Sequence, residues 1–227
     1  MTQQIKDVIY LENDQYFLAG WDGAESPFDP QRFDLEPQMI STACWRGWHA
    51  ALKIHNRCLT LDSLHIGLPE DLLDDVLPER APKIFGKPLK RYEYRCQVYC
   101  DKAGGWVDRL QLSSEARATS IGGAILWDGH LLLGSGSRPF AILAHPAWYY
   151  QTIIECEFVR GVLVGQWDRS SDCQRIAEWF DSDACPKPPD DPYGSGSQQF
   201  KNWEMGLDAL MGASFRGGYC GPRKEEG

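Results

Sequence analysis

The densest run of reactive and recognition side chains is Ser41-Thr42-Ala43-Cys44-Trp45-Arg46-Gly47-Trp48-His49. A thiol becomes a nucleophile when a helix N-terminus or a nearby imidazole lowers its pKa. Cys44, with His130 or His145 far downstream, follows the gross order of a papain-like thiol hydrolase. That chemistry asks for a helix behind the cysteine, whereas Gly47 and the alternation that begins near Trp48 predict a strand. The competing expectation is therefore a packing role for Cys44 and Trp45, with Arg46 paired to a carboxylate.

His145 lies in Ala144-His145-Pro146-Ala147-Trp148-Tyr149-Tyr150, an imidazole among aromatic residues ahead of a strand. Three roles fit it: a general base, a partner-binding group or a hydrogen-bonded loop residue. Gly134-Ser135-Gly136-Ser137-Arg138-Pro139 is rich in glycine, but it opens no helix and no Lys-Ser/Thr completes a phosphate loop. Cys96 and Cys100 are spaced along a strand-like run too far apart to chelate together, and Cys173 and Cys185 have no histidine nearby. The expectation is no metal and no cofactor, with the cysteines as reduced, structural thiols. Asp and Glu are abundant, yet no spacing singles out a catalytic pair.

The elements that must position these residues read mainly as β-hairpins. Segments 8–11 and 16–19 flank a polar turn, 51–54 and 58–61 alternate around His55-Asn56-Arg57, and 153–158 and 162–167 flank Val159-Arg160-Gly161. Another hairpin is expected at 124–127 and 130–133, because Asp128-Gly129 tolerates the two positive φ angles of a type I′ turn. Tyr92 to Tyr99 and Trp106 to Leu112 read as further strands. Short helices are expected over 69–77 and 172–180. The predicted class is mainly β (a β-rich α+β fold), an antiparallel, hairpin-built sandwich or roll with few short helices and a C-terminal amphipathic helix.

This organisation assigns residues 1–185 to one β-rich domain, with its β body ending near Trp167. A Pro/Gly/Ser linker follows over 186–197. Phe200, Trp203, Leu207 and Leu210 make an apolar stripe on a helix over 198–215 that docks on the domain, and 216–227 form a flexible tail.

The chain has 227 residues and a formal charge of −9. An acidic surface repels phosphate, so nucleic acid is excluded as the expected partner. No apolar run is long enough for a membrane helix. The N-terminal Met-Thr-Gln-Gln-Ile-Lys-Asp lacks the apolar core of a secretion signal, which places the expected setting in the cytoplasm.

Beyond composition, the string Thr42-Ala43-Cys44-Trp45-Arg46-Gly47-Trp48 ahead of Ile54 and Leu59-Thr60-Leu61-Asp62-Ser63-Leu64 resembles a family of bacterial proteins with a T-A-C-W-R-G-Y-like string before a hairpin. The likeness continues at Gly123-Ala124-Ile125-Leu126, where the family has a T-G-x-I/L string. It reaches His145 and Tyr150 to Phe158, where the family has Y-V-H-M-G-Y before a strand. Here that segment reads Ile142-Leu143-Ala144-His145-Pro146-Ala147, so the histidine is kept and its neighbours differ. The resemblance covers about residues 7 to 170. It implies a β fold and a bacterial, cytosolic setting, and brings no established activity.

Two functions follow from these observations. The first is a non-enzymatic protein-binding module, an immunity-type protein that neutralises a basic toxin through Trp45, Arg46, Trp48, His145, Trp148 and Tyr149. The second is a hydrolase centred on Cys44 and His145.

Overall fold

The computed structural model describes residues 5–69, 72, 81–100, 104–137, 147, 150–182 and 214–216. The fold is strand-rich and antiparallel. The chain divides into two compact units, interleaved in sequence: one takes residues 1–7, 28–53 and 60–124, the other 8–27, 54–59 and 125–227.

The first unit takes most of β3 (Trp48–His55) and of β4 (Cys58–Gly67), which neighbour each other, and β4 in turn pairs with β8 (Gly105–Ala118). The β4 and β8 register runs from Leu64↔Ala118 to Gly67↔Glu115. Beyond β8 lies β7 (Lys90–Cys100), and β9 (Gly123–Ala124) lies against β4 at Thr60 and Leu61. A small pair, β5 (Lys83–Ile84) and β6 (Lys87–Pro88), stands apart from this sheet. Trp48, Ala50 and Leu52 alternate inward along β3, as a strand with one buried face requires.

On β4 the inward series is Leu59, Leu61, then Leu64 and Ile66. The phase slips by one residue at Asp62-Ser63, as it does where a bulge inserts an extra residue. That slip turns His65 to the half-buried face which His49 occupies on β3. Residues 93–100 of β7 and 105–112 of β8 pair with each other well beyond the reach of β4, forming a two-stranded ribbon.

The second unit orders its strands β12-β11-β10-β2-β1. They are β1 (Val8–Leu11), β2 (Asp14–Asp22), β10 (Gly129–Ser137), β11 (Tyr150–Val159) and β12 (Val162–Asp168). The hairpin expected at Asp128-Gly129 is not formed. Residues 125–128 carry no strand, and β10 pairs instead with β2 and β11. Competing bonds explain the difference. Ile125 N donates to Leu59 O, Trp127 Nε1 donates to Glu25 O, and Asp128 accepts from Arg160 N.

Helix α1 (Ser170–Asp181) matches the expectation for 172–180 and buries Cys173, Ile176 and Ala177. Cys173 and Ile176 pack with Leu132, Tyr150, Ile153 and Phe215. The chain thus returns to this core at Ser214 and Phe215, both buried. Of the helix expected over 69–77, only Pro69 and Leu72 are described. The linker over 186–197, most of the helix over 198–215, and the tail lie outside the described residues. Among the described residues no helix is long and apolar enough to cross a membrane.

Candidate functional site

The run Ser41–His49 is a tightly bonded approach to β3. Cys44 N donates to Ser41 O, and Gly47 N to Cys44 O. Gly47 has a φ of +75°, and a Cβ there would stand 2.3 Å from Gln38 O. Glycine is required because the Gln38 backbone passes over it on the way to its own bond with Gly67 O.

Arg46 forks onto Asp7, with Nη1 to Oδ2 at 3.0 Å and Nη2 to Oδ1 at 2.6 Å. Its Nε donates to Trp48 O at 2.7 Å, and its guanidinium lies 4.0 Å from the Trp48 ring centre. Asp7 Oδ1 also accepts from Ala50 N at 2.7 Å. The expected pairing of Arg46 with a carboxylate is therefore present, and it fixes where β3 begins.

Cys44 is buried and its thiol donates to Trp48 O at 3.4 Å. Burial pushes its pKa up, against the pull of Arg46. This setting lends a nucleophilic role little support: among the described residues no helix N-terminus stands behind the sulfur, and burial favours the protonated thiol. Trp48 also leaves the surface set. It is buried, with Phe28 edge-on at 5.4 Å. Trp45 is 66% exposed. His145, Trp148 and Tyr149 lie outside the described residues.

The residues that the fold does bring together are His49, His65 and Glu115, from β3, β4 and β8. One ligand atom from each lies within 4.8 Å of the others, and all three side chains are half-buried. The two imidazoles stack at 4.6 Å with an 18° tilt. Burial lowers the pKa of both, opposed in each by Glu115, so each ring is kept neutral near pH 7.

Glu115 is presented by an irregular stretch of β8. The β7 register slips between Arg91↔Ala116 and Glu93↔Leu112, and Glu115 N turns back to Ser113 Oγ at 3.0 Å. Tyr92 donates its hydroxyl to Glu115 Oε1 at 2.9 Å, and burial pushes this phenol's pKa up, which keeps the donor proton in place. Neutral imidazole and carboxylate are both metal donors, so among the described residues this trio is the set that could hold an ion. Sequence reasoning missed it because 16 and 50 residues separate its members.

The ribbon carries a second feature. Directly opposed residues of an antiparallel pair share a face, so Tyr99↔Trp106, Arg95↔Leu110 and Glu93↔Leu112 place four large apolar groups on one side. Trp106 is 69% exposed, and Leu110, Leu112 and Tyr99 are each more than half exposed.

No protein-family profile matches the chain, and no curated protein and no solved structure is significantly similar to it.

Proposed function

We propose that this chain is a protein-binding module of the immunity type, and that it holds a protein partner against the apolar face of the β7–β8 ribbon. The observation that carries this reading is the row Tyr99, Trp106, Leu110 and Leu112, which stays in water on a two-stranded ribbon. An isolated two-stranded hairpin is marginal on its own. A solvent-facing apolar row on such a ribbon is the sort of surface that partners cover.

The net charge of −9 supports a basic partner, a toxin among them, by drawing it in over long range. The ribbon itself does not add to that attraction. By the register, Glu93, Arg95, Gln97 and Asp108 share the face of the apolar row, so the contact mixes apolar groups with charges of both signs. The hydrolase reading has weaker support, since Cys44 is buried and bonded to backbone.

The test is co-purification of the full chain with the product of a neighbouring gene, followed by a binding isotherm for Trp106→Ser and Leu110→Glu. The expected result is a stable complex weakened about 100-fold or more by each change, with the circular dichroism spectrum retained. A complex indifferent to both changes would move the contact away from the ribbon. Concentration-dependent self-association abolished by Leu110→Glu, with no foreign partner, would overturn the reading in favour of self-assembly.

A further inference from the structure

We propose that His49, His65 and Glu115 form a binding site for a divalent first-row transition-metal ion, with zinc as its most suitable probe. This stands apart from the ribbon face and does not depend on it.

Donor chemistry comes first. Two imidazoles and one carboxylate, without a thiolate, are the ligand set of open zinc sites and of non-haem iron(II) sites, whereas magnesium and calcium prefer oxygen alone. Three protein ligands leave a further coordination position for water or a small anionic ligand.

The second observation is a polar atom left without a partner. Glu115 Oε2 is buried and accepts no hydrogen bond among the described residues. His65 Nδ1 lies 3.9 Å from it. That is too long for a hydrogen bond, which ends near 3.2 Å for nitrogen and oxygen. The trio therefore does not satisfy itself as a histidine–carboxylate hydrogen-bond network, and a buried carboxylate oxygen is left open beside two imidazoles.

The third is support around the ligands. Tyr92 anchors the other Glu115 oxygen and fixes the carboxylate orientation, the usual service of an outer hydrogen bond to a metal ligand. Arg46 is forked onto Asp7, and Arg117 lies 4.3 Å from the Tyr92 ring centre.

Magnitudes are compatible with closure. Metal–ligand bonds of about 2.0–2.1 Å put neighbouring ligand atoms roughly 3.3 Å apart at tetrahedral angles. The separations of up to 4.8 Å must shrink by about 1.5 Å at most. Closure asks the two stacked rings to rotate about their side-chain bonds until their lone pairs meet at a common point.

The experiment uses the full chain freed of metal with a chelator, titrated with Zn2+ by calorimetry and with Co2+ by its visible absorption. One equivalent should bind, with a Co2+ spectrum of nitrogen and oxygen ligation lacking the intense thiolate band. His49→Gln, His65→Gln and Glu115→Gln should each weaken Zn2+ binding about 100-fold or more, and Tyr92→Phe about 10-fold, as for loss of an outer bond. His130→Gln, which changes a histidine of the other unit, should leave binding unchanged. Glu115→Gln is nearly isosteric and keeps the Tyr92 bond available, so it separates ligand loss from misfolding, with circular dichroism as the check. Absence of a bound equivalent in the parent chain, a thiolate band, or Zn2+ affinity unaltered in Glu115→Gln would each overturn the site.

Discussion

At the scale of single residues, the Asp7 carboxylate stabilises more than its surface partner would indicate. It takes both arms of Arg46 and the Ala50 amide while almost wholly buried. Asp7→Ala leaves a buried N–H unsatisfied and strands a half-exposed guanidinium, and is expected to cost about 3 kcal/mol. Asp7→Asn still accepts from Ala50 but loses the charged fork, and should cost about half as much. Urea denaturation with an unchanged slope measures both, and equal losses would show that the amide bond matters little. Lys6 makes an opposite case. Burial lowers its pKa from 10.5 to about 8. The folded state thus resists its charge, a penalty fully present below pH 8 that disappears as pH rises to the unfolded value of 10.5. Lys6→Met should therefore be more stable than the parent chain at pH 7, with the gap in melting temperature closing between pH 8 and 10.5. A gap independent of pH would assign the gain to packing.

At the scale of elements, turn chemistry was legible where it was local and illegible where distant bonds competed. Arg160-Gly161 joins β11 to β12 with φ angles of 50° and 75°, both positive as a type I′ turn demands. Asn56-Arg57 does the same between β3 and β4, at 49° and 64°. Asp128-Gly129 has better turn residues than either, yet Gly129 sits at 145° and the strand expected before it is absent. Its partners, Leu59, Glu25 and Arg160, come from segments that no local pattern reveals. The same reasoning yields a prediction for the β11–β12 turn. Arg160 pays the left-handed cost that asparagine largely avoids, so Arg160→Asn should stabilise by about 0.5–1 kcal/mol. Gly161 has no such freedom, because a Cβ would stand 1.9 Å from Ile125 O. Gly161→Ala should lose about 2 kcal/mol or more. Thermal unfolding of both variants checks the pair, and a neutral Gly161→Ala would contradict the close approach.

At the scale of the whole molecule, the mainly β class and three of the expected hairpins could be read from alternation and turns, while the His49, His65 and Glu115 cluster could not. Its assembly depends on the phase slip at Asp62-Ser63 and the irregular stretch at Ser113–Glu115, neither of which has a spacing signature. The Cys44 string drew notice for a different reason than the one it serves: Gly47, Arg46 and Cys44 set the start of β3, and His49 is the residue so presented. Thiol reactivity tests this placement across the chain. Cys58 is exposed, Cys96 is half-buried, and Cys44, Cys156 and Cys173 are buried. Burial also raises the Cys156 pKa to about 12 and that of Cys44 above its usual value, so both are protonated at neutral pH. A buried thiol reacts only when its surroundings open, which for a core position costs a large share of the global stability. With a disulfide reagent at pH 7.5, Cys58 should label first and Cys96 next among these five described cysteines. Cys44, Cys156 and Cys173 should label about 1,000-fold more slowly or beyond, until denaturant is added. Peptide mapping by mass spectrometry assigns each site. Should Cys44 label as fast as Cys58, the buried bond to Trp48 O is wrong, and a reactive thiol there regains its claim.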